Sequence, residues 1–152
     1  MTTALAILIS IVLVPLLLAL KWRSNGAAAF LSVALGVLLT GVVRGDVVDF
    51  VRGFTSFGSY ASPQWVGLGL LVLPPLIALI VTKKSVSLAK QPLNFFPSLG
   101  AGLLAALFVV PLLPNNLTHA VQALTWWQKL TELQTLILLV GSCMSFLLFL
   151  VL

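Results

Sequence analysis

Few side chains in this 152-residue chain can do chemistry, and their spacing narrows the choice further. Asp46 and Asp49 stand three apart, so on a helix they share a face and could act as paired carboxylates in proton transfer. Arg44 and Arg52 flank them, and solvated acids balanced by neighbouring arginines are the commoner outcome of such a pattern. His119 is the single histidine, on the polar side of an amphipathic stretch, where imidazoles are as a rule solvated. Cys143 is the single cysteine; it lies in an apolar run, can form no intrachain disulfide, and reads as a packing residue. Asn116-Leu117-Thr118 matches a glycosylation sequon but sits too close to an apolar run to be read as one.

Pro74-Pro75 is the other feature with chemical potential. Two prolines inside an apolar run remove two backbone donors, which leaves carbonyls near Leu70 and Leu71 without their usual partners. Freed carbonyls can coordinate cations where a transporter helix is broken. No charged residue lies inside any of the apolar runs, however, so a kink that shapes packing is the expected role.

The elements that carry these residues are helices for a membrane. With 61% hydrophobic and 7% charged residues, the chain is far from soluble proteins, where charged residues make up about a quarter. Five apolar runs, 4–20, 27–43, 66–82, 95–113 and 133–152, are each long enough at about 1.5 Å per residue to reach most or all of the way across a ~30 Å hydrocarbon core. Lys21 and Arg23 follow the first run where a cleaved signal would carry small residues, so that run is expected to stay as a span. Two further stretches are amphipathic. In 46–57, Val47, Phe50, Val51 and Phe54 recur at helical spacing; in 115–130, Leu117, Ala120, Val121, Leu124 and Trp127 do so, with Asn116 placed to cap. Both read as interfacial helices. The expected fold is therefore an all-α membrane protein of about five transmembrane helices plus two interfacial amphipathic helices, in one domain.

Small or polar residues recur every four positions along the spans. Ser32, Gly36 and Thr40 mark the second, Ser98, Gly102 and Ala106 the fourth, and Gln134, Gly141 and Ser145 share a face of the last. These stripes let backbones approach closely, either within one bundle or between chains. Gly41 and Gly45 also have the GxxxG spacing. Trp22, Trp65, Trp126 and Trp127 suit the membrane–water boundary, as do Lys83 and Lys84.

Five spans put Lys21, Arg23, Lys83, Lys84 and Lys90 on one side and all three acids, Asp46, Asp49 and Glu132, on the other. By the positive-inside rule the N-terminus lies outside and the C-terminus in the cytoplasm. The order span, basic connector, span, amphipathic segment occurs twice, over 4–57 and 66–130, as a parallel two-unit repeat would produce.

The net charge of +5 does not imply nucleic acid, because the eight basic residues sit at the ends of apolar runs, where they serve anchoring. No catalytic, metal or nucleotide motif is present, so enzymatic chemistry and cofactors are not expected. The sequence favours a small integral membrane subunit that packs through its small-residue faces into a homo-oligomer or a complex with other membrane proteins, in the lipid bilayer. An oligomeric pore for ions or small solutes, lined by Ser32, Thr40, Gln134 or the region of Pro74-Pro75, is the alternative.

Overall fold

The computed structural model describes residues 2–54 and 62–151. The end of the expected 46–57 segment and the loop around Gly58 and Ser59 lie outside the described residues. Among the described residues the structure is all-α, without strands. In chain order the helices are α1 (Thr2–Trp22), α2 (Gly26–Val42), α3 (Arg44–Phe54), α4 (Pro63–Val81), α5 (Gln91–Val109), α6 (Asn115–Gln122), α7 (Thr125–Glu132) and α8 (Gln134–Val151). Short 3₁₀ turns precede α5 (Leu88–Lys90) and extend it (Val110–Leu112).

Four segments are long and apolar enough to cross a membrane: α1, α4, α5 with its two turns, and α8. A fifth is reached if α2 and α3, which meet at a 70° bend, count as one broken span. The bend has a local cause in length: the 17 residues of α2 rise only about 25 Å before the polar run Arg44-Gly45-Asp46 begins. It also divides the Gly41–Gly45 motif between two helices, so those glycines share no continuous helix face.

The bundle is built around α2 and α5. α1 packs on α5, α4 packs on α2, and α8 lies against both central helices. α1 and α4 touch each other only sparsely. α3, which follows α2, rests on α4, and α6, which follows α5, rests on α1. Exchanging α1, α2 and α3 with α4, α5 and α6 leaves this pattern of contacts unchanged, the symmetry that a two-unit repeat would produce; α7 and α8 are the elements outside it.

Close approach of backbones explains the pairing. A Cβ on Gly36 of α2 would lie 2.9 Å from the Leu71 carbonyl oxygen and 3.0 Å from that of Leu70. Those are the carbonyls that Pro74 and Pro75 deprive of helical partners, so α4 presents its freed oxygens to the bare Cα of Gly36. α4 itself runs without interruption through both prolines, which sit half-buried on its flank. In the other half, a Cβ on Gly102 of α5 would collide with the Val12 carbonyl oxygen of α1. Gly141 of α8 meets the Phe30 ring instead, which is 1% exposed and is wedged between Gly100 and Gly141.

Four details differ from the sequence pattern. The fourth span begins at Gln91 rather than Phe95, because Pro92 fits the first turn, and this leaves Pro97 buried inside the helix. The 115–130 stretch is two helices, since Leu124 adopts an extended conformation (φ −76°, ψ 136°) between α6 and α7. This turn brings Val121, Leu124 and Trp127 onto one core and leaves Ala120 exposed. Pro114, not Asn116, precedes the first residue of α6, and Thr118 ties that helix back by donating to the Val110 and Leu113 carbonyls. In α3 Val48 is buried, while Phe50 is 63% exposed.

Candidate functional site

Polar side chains and charges converge at one end of the bundle, where α1 joins α2 and α4 joins α5. Arg23, the first residue past α1, and Lys84, the third past α4, both have left-handed backbones (φ 54° and 64°). Ordinary side chains pay a steric cost there, so the surrounding contacts must hold both turns. Backbone bonds between the connectors do so: Lys84 N donates to the Trp22 carbonyl at 2.9 Å and Val86 N to that of Arg23 at 3.1 Å. Arg23 Nε returns a bond to the Val86 carbonyl at 3.0 Å.

Beneath them lies a buried polar clasp. Asn94, fully buried on α5, accepts from Gly26 N at 2.7 Å through Oδ1 and donates to the Ser24 carbonyl at 2.9 Å through Nδ2. Ser24 Oγ donates to the Leu79 carbonyl on α4 at 2.7 Å. Asn25 caps α2 by accepting from Ala27 N and Ala28 N, and its own N–H reaches Thr82 Oγ1 at 3.1 Å. Gln91 donates to the Leu20 carbonyl of α1 and Lys90 to the Val151 carbonyl of α8, each satisfying a helix C-terminus. The sequence signal for this clasp was the stripe on α5: Asn94 stands four residues before Ser98 and extends Ser98, Gly102 and Ala106 by one turn. All four are buried.

The remaining predicted positions do not gather into one site. Gly36 and Thr40 face α4, where Thr40 Oγ1 donates to the Gly36 carbonyl and lies 3.4 Å from that of Gly67. Ser32 donates to the Ala29 carbonyl of its own helix and Ser145 to that of Gly141. Gln134 opens α8, half-buried. Asp46, Asp49 and His119 are exposed on α3 and α6, and no group of three metal-ligating side chains occurs among the described residues. Cys143 is exposed on α8. Lys83 lies over the Trp22 ring at 5.5 Å and Lys129 over Trp126 at the same distance. Trp65 and Trp126 are exposed, whereas Trp127 is turned into the core with Ala4, Leu8 and Ala106.

A cavity of about 340 Å³ opens between α1 and α4, with α2 and α5 as its floor. Its two walls use the same spacing. Positions 10, 11, 14, 15 and 18 of α1 match positions 71, 72, 75, 76 and 79 of α4 at a constant offset of 61 residues. The same offset relates Arg23 to Lys84. Pro15 and Pro75 both contribute to these walls, and Ala29, Ala101 and Ala105 keep the floor low. Apart from Ser10 every lining residue is apolar, so the cavity suits a hydrocarbon.

Comparison of the chain with protein-family models, with curated proteins and with solved structures finds no match.

Proposed function

We propose that this chain is an integral membrane subunit with an architectural role, embedded through α1, α4, α5 and α8 with the 17-residue α2 as a short fifth span of its own, and joined to further copies or other membrane proteins through its outer apolar faces. The observation that supports this reading is the division of labour between inside and outside. The buried polar side chains spend their hydrogen bonds on the protein's own backbone, in connectors and along helices, while large apolar side chains stand exposed along the outer faces of the long helices. Leu38, Val81 and Leu150 are 64%, 76% and 83% exposed. Such a surface needs lipid or protein against it. In this reading the small-residue stripes close the chain's own bundle, and association uses the outer sides of α4 and α8, each of which buries only a few residues. α3 and the α6–α7 pair lie along the membrane surface, where the exposed Arg52 of α3 and the exposed Trp126 and Lys129 of α7 fit as anchors.

The protein purified in a mild detergent is expected to have a mass, after subtraction of bound detergent, of two or more protomers or of a complex with another membrane protein. A monodisperse monomer would remove the assembly reading. Reconstituted in liposomes, it is expected to conduct ions no faster than protein-free vesicles. Conductance abolished by Thr40→Trp would replace the architectural reading with the pore.

Orientation follows from the basic end, which carries five of the eight Lys and Arg residues and faces the cytoplasm in this reading. Cysteine placed at the exposed Ser87, in a Cys143→Ala background, is expected to resist an impermeant thiol reagent in intact cells and to react after permeabilisation. Labelling in intact cells would reverse the topology.

A further inference from the structure

We infer that the cavity between α1 and α4 and the basic end above it form one binding site for an anionic phospholipid, with an acyl chain in the cavity and the phosphate among the basic residues. The inference rests on the membrane placement proposed above but not on assembly. The cavity walls span nine residues of α1 and of α4, about 12 Å, and end at Leu18 and Leu79. Each of these stands five residues before a left-handed basic residue, Arg23 or Lys84, in the connector that follows its helix. An apolar slot and a cationic rim are thus stacked along the membrane normal in the order that a phospholipid presents chain and phosphate.

The sparse contact between α1 and α4 makes the opening lateral, toward lipid, so a chain can enter from the bilayer without crossing the bundle. The apolar lining gives water too few partners to settle there. At the rim, Lys21, Lys83 and Lys84 are exposed beside Arg23, and the three acids of the sequence lie on the connectors and helices of the opposite end. This charge arrangement selects a phosphate without a compensating ammonium. Two helix C-termini, those of α1 and α4, point at the same rim, and their unfavourable dipole ends are offset by the same cations.

Native mass spectrometry of the detergent-solubilised protein tests the site, using phosphatidylglycerol and phosphatidylcholine with identical chains. One phosphatidylglycerol per protomer is expected to be retained about tenfold more strongly than phosphatidylcholine. Lys83→Gln with Lys84→Gln should bring the two lipids to parity. Val72→Trp, at the cavity mouth, and Ala105→Phe, at its floor, should weaken both lipids, with helix content checked by circular dichroism so that a misfolded variant is replaced by the other. Equal retention of the two lipids by the unaltered protein would overturn the headgroup assignment. Retention unchanged by both cavity variants, or full competition by soluble glycerol phosphate, would overturn the chain assignment. Stoichiometry is counted per protomer, so a monomer that binds phosphatidylglycerol would sink the assembly reading and leave this one intact.

Discussion

Replacing Asn94 by alanine is expected to destabilise the bundle by about 3–5 kcal/mol, measured as the shift in an unfolding titration in mixed detergent micelles. The side chain is fully buried and makes two bonds to the first connector, one as acceptor from Gly26 N and one as donor to the Ser24 carbonyl. Alanine leaves both backbone groups buried without partners, at about 1–3 kcal/mol each, and adds a small cavity. Ser98→Ala is the matched control. Its hydroxyl is equally buried but bonds only to the Asn94 carbonyl one turn back in the same helix, so its loss should cost no more than about 1 kcal/mol. If the two variants unfold together, Asn94 is not the clasp described above. Because the clasp joins α5 to the α1–α2 connector, and Ser24 joins that connector to α4, the Asn94 variant should also expose backbone amides of residues 23–27 to hydrogen exchange.

The second large effect is expected at Gly102. Valine there drives its Cβ against the Val12 carbonyl, a backbone atom that no rotamer change can move aside, so α1 must shift off α5 as a unit. A loss of about 2–4 kcal/mol is expected, at or above the usual range for overpacking because the obstacle is rigid. Gly69→Val on α4 provides the contrast, since a Cβ there meets nothing within 4 Å. It should stay within about 0.5 kcal/mol of the unaltered protein in the same titration. Similar losses for both glycines would mean that helix propensity, not the α1–α5 contact, governs stability.

Hydropathy made the helical class and the run boundaries legible to within a few residues, because an apolar run of that length has few other uses. The basic connectors were legible for the same reason. Pro74-Pro75 was readable as a source of freed carbonyls, but the partner of those carbonyls was not, since Gly36 belongs to a different helix and only the pairing of α4 with α2 brings it near. The stripes at Ser32, Gly102 and Gly141 were visible as stripes; that they are used inside one chain depends on which helix each faces, and spacing along one helix carries no such information. Asn94 escaped notice because an asparagine beside a basic connector reads as part of that connector. Its burial follows from the helix starting one turn earlier than the apolar run. In the amphipathic segments, Leu124 and Val48 show how a tight turn or a helix's rotation redirects a stripe whose members are only marginally apolar on one side. The cavity could not be read at all, because it is a property of two walls that are 61 residues apart in the chain.

The exchanged pairing of the helices has a consequence for how the chain is made. α1 does not find its main packing surface in the neighbouring α2, which leaves the ribosome next, but in α5, whose first residue follows the last of α1 by 69 positions. In the membrane placement proposed above, the first hairpin enters the bilayer before its main packing partner exists, with lipid filling its groove until the second hairpin arrives to trade partners with it. Insertion and packing become separate events in time. In that placement the lipid filling the groove of α1 during the interval is the natural predecessor of the one proposed above to lie between α1 and α4.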